Sequence, residues 1–259
     1  MTSPRSPRPV IETADALLEE LQREAREAGA RDDRGGYFAA LYALMTGRVC
    51  EAIASGRFRE PERLQALTCH FAGRYLDAPE RYRSGGTPPE SWRIAFEAGD
   101  RWRPIILQHL MLGMNAHINF DLGISAAQIS ERSSLDDVEQ DFNEINTILA
   151  ELLGDVQKRL GSVSPWMRIL DFVGGRKDEV IVNFSMRHAR DAAWGVAERY
   201  VALDESGRTT AEADLDRRVA RFARVVLKPG RLISTAAIPV RLRERASVAE
   251  VIEALGVPA

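Results

Sequence analysis

Apolar residues recur every three or four positions along most of the chain, and no run alternates apolar with polar between turn residues, so the pattern predicts helices and no strands. Leu17, Leu18 and Leu21 mark a first helix ending at Gly29, and "YFAALYALMTGRVCEAIASG" reads as a second, more buried one. "PERLQALTCHFAGRYLDAPERY" opens on a proline suited to a first helical turn and repeats Leu64, Leu67, Phe71 and Tyr75 at helical spacing. After a loop around Gly85, Gly86, Pro88 and Pro89, a short helix from about Pro89 to Asp100 leads into a strongly apolar one, Pro104 to Leu122, which Gly123 is expected to end.

Downstream, Ser134 as cap and the series Leu135, Val138, Phe142, Ile145, Leu149, Leu152 and Val156 predict a long helix to about Leu160. "SPWMRILDFVGG" is a shorter one, and another runs from about Asp178 to Leu203. Near the C-terminus, Leu215, Val219, Phe222 and Val226 share one helix face, "RLISTAAIPVRLRER" is ambiguous, and Ser247 with Glu250 forms a capping box opening a last helix. The expected architecture is all-α: a single helical bundle over 11–259 around the buried helix 104–122. The proline-rich segment 1–10 is a disordered lead-in, and 203–259 is either part of the bundle or a C-terminal appendage.

Composition narrows the class. With 45% hydrophobic and 28% charged residues the chain has a globular balance. No apolar run reaches the roughly 20 residues of a membrane span, and the N-terminus lacks a signal-peptide core. A cytoplasmic protein is expected. The net charge of -3 gives no basic footprint for nucleic acid. Cys50 and Cys69 lack metal-ligand spacing and read as small buried groups.

The chemistry concentrates in "LMLGMNAHINFDLG", Leu110 to Gly123. On a regular helix Gln108, Asn115 and Asn119 fall on one side, while Gly113, His117 and Asp121, with His109 beside them, fall nearly opposite. Buried amides and carboxylates need partners, so two polar clusters imply two networks. His117 and Asp121, four apart, form the pair that would orient an imidazole as a general base or hold a metal. Alternatively they are a satisfied core histidine with its carboxylate.

"QHLMLGMNAHINFDLG", with "YFAALYALMTGRV", "GRFREPERL", "HFAGRYLDA" and "SWRIAF" upstream and "RHARDAAWGVA" downstream, resembles the domain-of-unknown-function family 5995 from about Asp33 to Tyr200. The resemblance implies a single helical domain and draws attention to His109, Asn115, His117, Asn119 and Asp121. It implies no activity.

In "NFSMRHARDAAW", Arg187 and Asp191 stand four apart with Trp194 and His188 nearby, which would make a second pocket wall or an interhelical ion pair. "DDVEQD" is explained by an acidic first helical turn, and His70 is held in reserve. The expected function is a small-molecule enzyme acting on a hydrophobic substrate, such as a lipid or a specialised-metabolite intermediate. His117, Asp121 and His109 would be catalytic, and Asn115, Asn119, Arg187, His188, Asp191 and Trp194 would bind substrate. The cofactor would be none, or a single divalent metal on His109, His117, Asp121 and His188. The rival reading is a non-catalytic ligand-binding or scaffold protein.

Overall fold

In a computed structural model, the chain is described over residues 11–130, 135–165 and 186–258. These residues are helical and contain no strand. The order is α1 (Ala14–Ala30), α2 (Gly36–Ala54), α3 (Pro61–Arg83), α4 (Glu90–Gly99), α5 (Ile106–Ala116), a π-helical turn (His117–Asp121), α6 (Leu122–Ser130), α7 (Leu135–Val163), α8 (Met186–Val201), α9 (Glu205–Leu227), α10 (Arg231–Arg241) and α11 (Val248–Ala254). The segment 1–10, the Ser134 cap, the "SPWMRILDFVGG" helix and the start of the helix expected from Asp178 lie outside the described residues.

Local chemistry accounts for several helix ends. Thr13 accepts a hydrogen bond from the Ala16 amide at the start of α1. The Ser247 hydroxyl accepts from the Glu250 amide while the Glu250 carboxylate accepts from the Ser247 amide, the reciprocal cap the sequence predicts. Two inner helices are capped from a distance. Asp216 on α9 accepts from the Glu90 and Ser91 amides of α4, and Glu244, just after α10, accepts from the Ile106 amide of α5. Orphan amides at a helix start favour a carboxylate, so these contacts fix where α4 and α5 begin.

The ambiguous stretch "RLISTAAIPVRLRER" forms α10, whose Ile233, Ala237 and Val240 cover Ile105. Through Val248, Val251, Ile252 and Leu255 the last helix enters the main core beside Leu17, Leu21 and Leu41. The described residues 203–258 therefore pack into the bundle.

The central helix departs from expectation in two ways. It does not end at Gly123 but continues to Ser130, and it is not regular: the Leu122 amide bonds the His117 carbonyl five residues back. Gly123 serves close packing instead. A Cβ there would lie 2.5 Å from the Ala193 carbonyl oxygen and 2.8 Å from the Val196 Cβ, so glycine lets α8 press onto α6. Gly113 plays the same part for α2, since its Cβ would fall 2.4 Å from the Phe38 ring.

Gly123→Ala should consequently destabilise the fold by about 1–3 kcal/mol, because backbone must shift, despite up to about 1 kcal/mol of added helix propensity. A calorimetric Tm at or above the wild-type value would show that α8 does not make this contact.

Candidate functional site

Asp121 ends the π turn and is 1% exposed. Its Oδ2 accepts from the Trp92 indole nitrogen on α4 at 2.9 Å, and its Oδ1 accepts from Arg74 Nε on α3 at 3.1 Å. The arginine supplies the opposite charge a buried carboxylate requires, and the indole satisfies the second oxygen. Arg74 also lies 3.9 Å from Glu212 on α9, and Glu212 accepts a 2.6 Å bond from the Tyr200 hydroxyl on α8. Burial, followed by the Glu212 carboxylate, pushes the Tyr200 pKa up to about 12. One polar chain thus links α4, the π turn, α3, α9 and α8.

His117 opens the π turn, with Nδ1 3.5 Å from Asp121 Oδ2. This contact is long, and a carboxylate at that position favours the tautomer with the proton on Nδ1. The ring stacks on Phe71 at 3.6 Å between centroids and 10° between planes. Tyr42 lies 4.5 Å away, and Phe38, Tyr75 and Trp92 complete an aromatic enclosure at 5.6, 5.9 and 6.2 Å. π turns recur at functional sites because the extra residue re-aims side chains, and here both members of the histidine and aspartate pair lie within one.

The histidine also lines a cavity of about 60 Å³, walled by α2, α3, the central helix and Ile145 of α7. Met45, Val49, Leu67, Met114, Ile118 and Leu122 make the lining apolar. Tyr42, Thr46 and Thr68 add hydroxyl-bearing side chains. The Thr46 hydroxyl is buried on this wall with no hydrogen-bond partner among the described residues.

The pocket the sequence suggested, between the central helix and the Arg187 to Trp194 segment, would draw on residues outside the described ones. Among the described residues of that segment, Trp194 packs with Phe71 against Ile118, Leu122 and Ala193, and Asp191 is exposed. The side chains of Arg187 and His188 lie outside the described residues.

The two polar clusters do keep separate partners. Asn115 donates to the Val219 carbonyl of α9 at 3.1 Å and accepts from Asn119 at 2.9 Å, while Gln108 donates to the Val226 carbonyl at 2.7 Å. These amides clamp the central helix to α9, so Asn115 spends its hydrogen bonds on protein rather than on a ligand.

His109 stands two turns before His117 in a different environment. Its ring lies edge-on to Tyr37 at 5.8 Å and bonds the Pro104 carbonyl. Burial, with Arg34 and Arg241 nearby, pushes its pKa down to about 3. An imidazole neutral at all ordinary pH and eight residues from His117 does not join that pair as a proton donor. No group of three or more His, Cys, Asp or Glu side chains comes together among the described residues in a way that could hold a metal ion. His70 is exposed on α3, and Cys50 and Cys69 are half-buried thiols.

Sequence reasoning missed Arg74, Trp92, Tyr42, Phe71 and Thr46. A signal for the first two existed: a buried Asp121 needs donors, and Arg74 and Trp92 sit in "HFAGRYLDA" and "SWRIAF". No curated protein and no solved structure matches the chain. The model described as a family of unknown function (DUF5995) matches residues 14–229, a span that holds His117, Asp121 and all their described partners, and the chain belongs to that family.

Proposed function

We propose that the protein is a small-molecule enzyme in which His117, oriented by Asp121, transfers a proton to or from an apolar substrate seated in the adjoining cavity. The observation that carries this reading is the position of His117 in the wall of a mostly apolar cavity, at a π turn, with a buried carboxylate near its Nδ1. An imidazole beside a carboxylate in a low-dielectric pocket has the makings of a general base, and the mechanism needs no metal. The Thr46 hydroxyl supplies a hydrogen bond to the polar atom of the ligand.

Size limits the substrate. About 60 Å³ admits the end of an acyl or isoprenoid chain, not a drug-sized molecule, for which pockets of roughly 300–1,000 Å³ are usual. The reacting atom therefore belongs near the end of an apolar group.

The test is a panel of short-chain alcohols, aldehydes and acyl thioesters, with turnover followed by mass spectrometry. His117→Gln should lower turnover by roughly 10²- to 10⁴-fold while the urea midpoint stays close to wild type. Thr46→Leu, which fills the cavity, should weaken binding. Unchanged turnover in His117→Gln would refute the acid-base role. A collapse of stability in that variant without loss of ligand binding would favour the ligand-binding or scaffold alternative, to which the Phe71 stack lends weight.

A further inference from the structure

The described residues include six large hydrophobic side chains that are strongly exposed, and four of them gather at one corner: Trp102 at 53%, Leu232 at 48%, Ile238 at 45% and Leu242 at 58%. Leu232 and Ile238 belong to α10 and Leu242 follows its last residue; Ile238 and Leu242 point away from the buried arc of Ile233, Ala237 and Val240, and Leu232 flanks it. Helical geometry puts the three within roughly 120° of one another, an arc they share with the exposed Arg231 and Thr235, so the outer face of α10 mixes aliphatic side chains with a cation and a hydroxyl. Trp102 is tied beside the end of this helix, since Arg241 donates to its carbonyl at 2.6 Å and lies 5.5 Å over its ring.

The charges that α10 and its flanking turns carry are of one sign, while Asp100 and Glu97 stand on the chain leading to Trp102. No acidic residue occurs between Asp216 and Glu244, and Glu244 is itself buried. Lys228, Arg231, Arg243, Arg245 and Arg103 are exposed at the ends of α10 and beside Trp102. The whole chain carries -3, so the run of cations from Arg217 to Arg243 with no acidic residue is a local excess of positive charge.

We propose that this corner is a docking face for an anionic lipid surface. α10 would lie in the interface plane, its aliphatic side chains and the Trp102 indole at the headgroup and acyl boundary and its cations on lipid phosphates. No helix among the described residues is long and apolar enough to cross a membrane, so the association is peripheral. A nucleic acid would take the cations but leave the aliphatic stripe in water. A second copy meeting this face with the same face would bring like charges together, which opposes a two-fold dimer. A lipid interface satisfies both chemistries, independently of what the cavity binds.

The experiment is co-sedimentation of the full chain with phosphatidylcholine vesicles, with and without phosphatidylglycerol. Binding is expected only with the anionic lipid, and should fall sharply at ~1 M salt, where screening shortens to about 3 Å. Arg243→Glu with Arg245→Glu should weaken binding by roughly tenfold or more. Ile238→Glu with Leu242→Glu should abolish it while circular dichroism stays unchanged, because both residues are exposed. Absence of sedimentation, equal binding to neutral vesicles, or wild-type binding by either variant would overturn the proposal. So would a dimer in solution that Ile238→Glu with Leu242→Glu dissociates without any vesicle binding.

Discussion

Asp121→Ala should lower the unfolding free energy by about 3–5 kcal/mol, the range for removing one partner of a buried ion pair. The carboxylate is 1% exposed and accepts from Trp92 and Arg74 on two different helices. Its removal strands the indole N–H inside the core and takes from the Arg74 guanidinium the nearer of its two counter-charges. Arg74 retains some contact with solvent and with Glu212, which keeps the loss below that of a fully enclosed charge. Urea unfolding measures the effect directly. Trp92→Phe alone should cost less, since it spares the ion pair. In a double-mutant cycle the two substitutions should couple by more than 0.5 kcal/mol, as directly bonded groups do. An Asp121→Ala variant within about 1 kcal/mol of wild type would mean that this network does not hold the π turn in place.

The second large effect is acid sensitivity from His109. Its pKa is about 3 in the folded protein against 6.5 for the free side chain, so the unfolded chain binds a proton first as pH falls. The stability this group contributes is complete above pH 6.5 and is lost progressively between pH 6.5 and 3. At 1.36 kcal/mol per pKa unit the loss reaches roughly 3 kcal/mol by pH 4. His109→Gln should remove that slope while keeping a donor for the Pro104 carbonyl. Glu244, whose pKa burial raises, contributes a slope of the opposite sign, so the informative quantity is the difference between wild type and variant. Parallel pH profiles for the two proteins would show that the imidazole is hydrated in the native state.

These two residues show how far the sequence could be read. The pairing of His117 with Asp121 was legible, because four residues on a helix always bring side chains together and the surrounding leucines and methionines announce burial. The separation of the amides from that pair was legible for the same reason. The grouping of His109 with His117 was not legible. Their common apolar helix made them look like one cluster, yet one faces Tyr37 and the other an enclosure built from α2, α3 and α4. The π turn was equally hidden, since the apolar spacing from Leu110 to Gly123 reads as a regular helix.

Gly123 shows the same division at a single position. A glycine after an apolar run reads as a helix end, and only the arrival of α8 at 2.5 Å from a would-be Cβ reveals that the helix continues and the glycine makes room. Arg74 and Trp92 reach Asp121 across 47 and 29 residues of chain, separations at which spacing carries no information about contact. Helix identity, the capping box at Ser247 and the burial of the central segment follow from local periodicity and local hydrogen bonding, and the sequence alone determined them. The cavity, the counter-charge of Asp121, the neutrality of His109 and the exposed aliphatic side chains of α10 depend on which helices meet. Only tertiary packing decides that, because burial and pairing are properties of neighbours brought together by the fold.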